Sequence, residues 1–289
     1  MGAAASAWRR LTVEPLLARY AANERVAAVA LSGSTARGTA DRWSDVEVAV
    51  FWEVPPTDDE RSVAATDAGA VILRLFEFNV DERVWCDDLA IGPASLLVEV
   101  VHMLESTAED YLSTLLEDCE PEPLLLNFAQ GLLDAVPSHV SERLAAWKKR
   151  VSDYPSELQR AVIRRNAQVD HFWRWRAHAE RGNSVLLAAA FADTATRIYA
   201  TVLALNECYG PNLKSPDALT RPLPTAPSDF ASRLRACFSL DPHRQAEVLE
   251  ALVEETYDLI ERECPDVDVG RLRRIFRHAR TPAGPAEST

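Results

Sequence analysis

A chain of 289 residues with 47% apolar residues and a formal net charge of -13 has material for one large core or two smaller ones, which argues against dominant disorder. The acid lies at the front: residues 1–140 carry 9 Lys and Arg against 24 Asp and Glu, residues 141–289 carry 22 against 20, so no broad basic face for nucleic acid is expected. MGAAASAWRRL lacks the pattern of a secretory leader, no uninterrupted apolar run reaches spanning length, and the five scattered cysteines hold no CxxC pair; a soluble, reduced, cytoplasmic protein without membrane partner, disulfide framework or zinc site is the expectation.

In chain order, a helix is expected over about Val13 to Asn23, then β-branched runs at Val26 to Leu31, Val46 to Trp52, Ala70 to Phe78 and Leu96 to Met103, which read as strands of one mixed sheet. A helix from Thr107 to Leu116 closes that unit. The prolines of CEPEP, Cys119 to Pro123, predict a boundary. Beyond it helices are expected over Pro123 to Ala135, Ser138 to Val151, Ser156 to Arg181, Ser184 to Cys208, Ser228 to Phe238, Pro242 to Cys264 and Val269 to Arg277. The expected division is a mixed-sheet domain over 1–120, a helical domain over 121–280 and a disordered tail over 281–289. The fold class is α+β, a sheet domain followed by a helical bundle.

The chemistry concentrates in LSGSTARGTADRWSDVEVAVFW, Leu31 to Trp52. A strand runs into a tight turn at Gly33 and Ser34, and DVEVAVFW starts the next strand. Side chains two apart on a strand share a face, so Asp45 and Glu47 project together, and adjacent carboxylates repel unless a cation lies between them. Gly33 permits close backbone approach, while the amides and hydroxyl of Ser34 suit phosphate oxygens. Together these point to a nucleoside triphosphate with Mg²⁺. Glu99, an acid inside the apolar run SLLVEVVHM, is the candidate third carboxylate for a two-ion site, because a charge there is costly to bury without a partner. Arg37, just past the turn, is placed for a phosphate contact; Arg42 reads as structural or solvated.

A Gly-Ser turn, ten residues, DxE and a downstream acid in an apolar strand resemble the nucleotidyltransferase superfamily, which includes DNA polymerase β and the antibiotic nucleotidyltransferases. SDVE, Ser44 to Glu47, is similar to the variant in kanamycin nucleotidyltransferases, and so is LLVEVVHM with the acid-rich helix after it. The resemblance covers residues 10–115 well and the helical half loosely. It implies an N-terminal nucleotidyltransferase domain that moves AMP, or another NMP, from ATP or another NTP to a hydroxyl of a small molecule. Asp45, Glu47 and Glu99 would bind two Mg²⁺ ions, and Gly33, Ser34, Arg37 and Ser44 would lie at the nucleotide. The family's helical-domain base and cation match Asp170 and Arg174 in QVDHFWRWRAHAE, with Asp for Glu and Arg for Lys; a surface ion pair is the plain alternative, and His171 another base. Lys214, in ALNECYGPNLKSP, resembles a lysine of uncharacterised bacterial nucleotidyltransferases and reads equally as a loop lysine or a triphosphate contact. Phe172, Trp173 and Trp175 read as core or interface aromatics, with one ring stacking on the base or acceptor as the alternative.

An acceptor site between the halves, negative and suited to a cationic acceptor such as an aminoglycoside, follows from the resemblance, with a monomer or a homodimer as assembly. Two alternatives stand beside it: a protein adenylyltransferase of antitoxin type, which the long helical appendage argues against, and a non-catalytic nucleotide-binding module.

Overall fold

Alternating apolar residues bounded by turns zip into one mixed sheet of strands β1 Val26–Ser32, β2 Val46–Trp52, β3 Val71–Leu75, β4 Val84–Ile91, β5 Leu96–Leu104 and β6 Val136–Pro137, in the order β3-β4-β5-β2-β1-β6. The structure is a computed structural model that describes residues 2–138, 141–210, 213 and 218–280. β2 and β5 pair in parallel, and the other pairings are antiparallel. Period two then divides the sheet cleanly. Val46, Val48, Val50 and Trp52 of β2 and Val98 and Val100 of β5 enter a core with Val13, Leu16 and Tyr20 of helix α1, Gly2–Ala21, and Ala65 of helix α3, Asp58–Asp67. The residues between them face the other way.

β4 and α3 were not expected from the sequence. In VWCDDLAI two adjacent acids interrupt the apolar pattern, yet Asp87 faces the core, where Arg61 of α3 and His102 of β5 hydrogen-bond it, and Asp88 faces the opposite side. α3 starts at a capping box, the Thr57 hydroxyl accepting from the Glu60 amide at 3.2 Å while the Glu60 carboxylate accepts from the Thr57 amide at 2.8 Å.

On the other sheet face lie α4, Glu105–Leu116, α5, Pro123–Asp134, and α6, Glu142–Val151. Trp147 of α6 packs its ring 4.8 Å from that of Phe51 and donates from Nε1 to Glu109 at 2.7 Å, and the Ser141 hydroxyl donates to the Ala27 carbonyl at 3.3 Å. These contacts hold α6 to the sheet, so the first compact unit runs from Met1 to Pro155 instead of ending at residue 120. Pro123 starts a helix there, its missing N–H being one the first turn leaves unpaired anyway.

The second unit is helical: α7 Ser156–Asn166, α8 Phe172–Glu180, α9 Ser184–Leu205, α10 Phe230–Cys237, α11 Pro242–Glu263 and α12 Val269–Arg277. Trp175 is fully buried at its centre, with ring contacts to Phe172, Phe191 and Phe276. The single helix expected over Ser156 to Arg181 is broken between Asn166 and Phe172. Ala167 and Val169 are both buried, a spacing that suits extended chain, and the Tyr257 hydroxyl donates to the Ala167 carbonyl at 3.0 Å. α9 is long and apolar enough, by length and composition, to cross a membrane; in this unit its buried side chains, Phe191 and Ile198 among them, belong to the core. The tail expected over 281–289 lies outside the described residues.

Candidate active site

Strand register assembles the site. Ser32, at the end of β1, pairs with Glu47 of β2; Glu47 pairs with Glu99 of β5; Glu99 pairs with Asp88 of β4. Paired residues point to the same side of a sheet, so four strands lay a row Asp88, Glu99, Glu47, Ser32 across one face. Asp45, immediately before β2, is two residues from Glu47, the spacing that returns a side chain to that face. Glu99 is exposed and Glu47 half-buried. Asp88 was not expected at the site; a pair of acids in an otherwise apolar run, one for each face, is the signal for it.

Gly33 meets this row. The chain leaves β1 into a short helix α2, Gly33–Arg37, with Gly33 at φ +61°, and a Cβ added there would lie 2.6 Å from the Glu47 carboxylate. Both the backbone angle and the close approach require glycine. Gly33→Ala is therefore expected to cost about 1–2 kcal/mol of stability and to displace the Glu47 carboxylate, lowering activity as well. Denaturant unfolding and a pyrophosphate-release assay check this, and a variant equal to wild type in both would show that the approach is not needed.

Two adjacent arginines of α1 fix the chain on either side of the turn. Arg10 donates to the carbonyls of Thr35 at 3.1 Å and Ala36 at 2.6 Å, at the end of α2. Arg9, 4% exposed, donates to the carbonyls of Asp41 at 2.6 Å and Ser44 at 2.9 Å, and so sets the loop that delivers Asp45. Neither arginine was expected in this role from the sequence. Ser44, expected at the nucleotide, spends its hydroxyl in the same loop, donating to Asp41 Oδ1 at 3.1 Å and accepting from the Asp41 amide at 3.0 Å. The amide of Trp43 donates to the Asp41 carboxylate at 2.8 Å and, as the largest cause, holds its pKa below the usual carboxylate range. Arg37 donates to Asp134 of α5 at 3.2 Å, so a phosphate would have to share or displace that pair. Ser34 sits half-buried in α2, its carbonyl accepting from the Thr39 amide at 3.0 Å.

The row opens onto a cavity of about 340 Å³ between the sheet face and α5, with Ser32, Glu47 and Glu99 in its lining. Cys86 lines it too. Burial first, then the nearby charges of Glu99 and Glu82, push its thiol up to about 11, so it stays protonated and unreactive at neutral pH.

In the second unit, Asp170 lies in the segment before α8, and its carboxylate accepts from Arg174 at 3.1 Å and from the His171 amide at 2.8 Å. The side chains of this pair are 41% and 49% exposed, those of a surface ion pair. His171 directs Nδ1 at the Ile275 carbonyl. Trp175 is core, as expected, and Lys214 lies outside the described residues.

Hard oxygen donors on one sheet face suit magnesium, which keeps several of its waters and takes one or two carboxylates together with substrate phosphates. Among the described residues no three His, Cys, Asp or Glu side chains are gathered to hold an ion by themselves.

A mixed sheet that sets carboxylates beside a glycine turn is an arrangement suited to phosphoryl transfer. Residues 16–112 match the family model described as nucleotidyltransferase domain, a span from within α1 into α4 that contains β1 to β5. The sheet unit thus carries a nucleotidyltransferase domain and the chain is a transferase; such domains move a nucleoside monophosphate and generally use a nucleoside triphosphate with a divalent metal. No curated protein matches the sequence. The fold is similar to a nucleotidyltransferase-like protein from Exiguobacterium sibiricum 255-15, at 12% identity and a TM-score of 0.42 over 88% of this chain and 77% of that one.

Proposed function

We propose that the chain transfers AMP from ATP, or another NMP from its NTP, to a hydroxyl of a small molecule and releases pyrophosphate. The observation that carries this reading is the cross-strand row of Ser32, Glu47 and Glu99, with Gly33 packed against the Glu47 carboxylate. Asp45, Glu47 and Glu99 would hold Mg²⁺, two ions in the full site, which when bound neutralises phosphate charge and lowers the pKa of the attacking hydroxyl. Gly33 and Ser34 let the phosphates approach the backbone, and Arg9 and Arg10 keep the flanking loops where the carboxylates need them. Positioning and charge neutralisation supply most of the rate in such a transfer.

The resemblance to kanamycin nucleotidyltransferases supports Asp170 as the base that takes the acceptor proton, with Arg174 beside it at the phosphates and Lys214 as a further triphosphate contact. On that assignment Asp170→Asn is expected to lower kcat about a hundredfold while leaving the melting temperature unchanged. Steady-state kinetics decide; an unaltered kcat would return Asp170 and Arg174 to the role of a surface ion pair.

The acidic first unit and the carboxylate row favour a cationic group on the acceptor; an aminoglycoside has such groups, and the apolar wall of the cavity decides whether its sugar body suits the site. The deciding experiment measures pyrophosphate release with Mg²⁺, each of the four NTPs and a panel of hydroxylated small molecules, beside Asp45→Ala. Release that needs an acceptor and vanishes in the variant supports the reading. Release only with a protein partner would move it to a protein adenylyltransferase, and absent nucleotide binding would sink it.

A further inference from the structure

We infer that the acceptor is an amphiphilic alcohol: its hydroxyl meets the carboxylate row and its apolar body fills the cavity between the sheet and α5. This rests on the transfer reading above and names the substrate class of the same site. The wall beyond the row is mostly apolar, with Ala30, Ala49, Phe51, Val101, Met103 and Phe128 in it and Asn127 and Glu82 among its polar members. Along β2, Glu47 and Phe51 are four residues apart, so the apolar wall extends about 13 Å from the carboxylates. The Tyr111 hydroxyl, which also borders the cavity, already donates to the Glu82 carbonyl at 2.7 Å.

α5 keeps this space open at its own expense. Gly131 stands inside that helix, where glycine is less favourable than alanine. A Cβ there would sit 3.6 Å from the Ser32 hydroxyl oxygen, an ordinary contact, so packing does not demand glycine. What Gly131 does is leave volume beside the row. Ala30 and Ala49 do the same from the strands.

The lining selects among ligands. A sugar antibiotic would set most of its hydroxyls and ammonium groups against Phe51, Val101 and Met103, which offer no partner, with Asn127 and Glu82 as polar groups of the lining beyond the row. A nucleobase edge could pair with Asn127 but would leave its other ring nitrogens and exocyclic groups against the same apolar side chains. An aliphatic or aryl body loses nothing there, and a cationic substituent near Glu82 or Glu99 gains. In the reaction the acceptor oxygen bonds to the α-phosphorus as the bond to pyrophosphate breaks, the pyrophosphate leaves with the electron pair, and the hydroxyl proton passes to a base.

The test has two readouts on the full chain. First, the neutral fluorophore N-phenyl-1-naphthylamine is titrated and displaced by primary alcohols from ethanol to octanol; second, pyrophosphate release is measured with the same alcohols and with kanamycin. Displacement and kcat/KM are expected to rise about fourfold per added methylene until the cavity is full, with kanamycin the poorer acceptor. Gly131→Leu is expected to lower kcat/KM for the longest alcohol about tenfold, with little change in the KM for the NTP. If Gly131→Leu fails to fold, Phe128→Ala, which enlarges the cavity, is expected to move the optimum to longer alcohols. No fluorophore binding by wild type, no dependence on chain length, preference for kanamycin, or a Gly131→Leu variant impaired for the NTP alone would each overturn the inference. Chain-length-dependent displacement without pyrophosphate from any NTP would instead overturn the transfer reading and leave the ligand class of the cavity supported.

Discussion

Glu47→Gln is expected to lower nucleotidyl transfer about a thousandfold with the fold intact. Glutamine keeps the size of the side chain, so the approach of Gly33 and the pairing with Ser32 and Glu99 survive, while the negative charge is lost. In a transfer governed by charge neutralisation, losing one preorganised charge or donor typically costs about two to three powers of ten, and Glu47 sits at the centre of the row. The loss should fall on kcat more than on the KM for the NTP, because the interaction strengthens as charge builds on the leaving pyrophosphate. Pyrophosphate-release kinetics with a parallel melting curve check it. Wild-type turnover in a folded Glu47→Gln protein would remove the carboxylate row from the chemistry.

The largest stability effect is expected on the opposite face of the sheet. Asp87 is wholly buried and accepts from Arg61 and from His102 Nε2, the latter at 2.9 Å; Trp52 Nε1 donates to His102 Nδ1 at 3.1 Å. Trp donates only, so Nδ1 must be the acceptor and the proton sits on Nε2. Asp87→Ala leaves the buried Arg61 guanidinium with only the exposed Asp58 carboxylate, at 2.7 Å, to meet its charge, and the loss is expected at the low end of the roughly 3–5 kcal/mol that removing one member of a buried pair costs. Denaturant unfolding measures it; a loss below about 1 kcal/mol would mean that water or a rearranged Arg61 meets the charge.

The same network fixes a pH response. His102 has Asp87, Arg61 and the edge of Tyr20 around it, and burial, the largest cause, holds its pKa below 6.5. The unfolded chain therefore takes up the proton first as pH falls. Stability from this residue is full above the unfolded value of 6.5 and declines as pH drops below it toward the folded value. Unfolding free energies between about pH 8 and pH 5 should fall more steeply in wild type than in His102→Gln, and parallel profiles would contradict the account.

The strands that carry the chemistry were legible because their patterns are simple. Val46 to Trp52 is a β-rich apolar run broken only by Glu47 and preceded by a glycine turn, and Glu99 stands out as a lone acid in an apolar run. β4 was not, since Asp87 breaks the alternation and makes sense only beside Arg61 and His102, which lie 26 and 15 residues away. α7 and α8 were read as one helix because no Gly or Pro marks the break; the burial of Ala167 and Val169 that accompanies it is tertiary. Nor did any local feature show that Arg9 and Arg10 would reach loops 25 to 35 residues on.

That grip has a consequence for how the chain tolerates change. Arg9 and Arg10 hold main-chain carbonyls, and every residue presents a carbonyl whatever its side chain. The exposed side chains of Arg42 and Trp43 are outside that interaction. Randomising those two positions should leave the loop in place, whereas the two arginines on the first helix admit no such freedom. The guanidinium groups act as a template for the loop's path and are indifferent to its spelling.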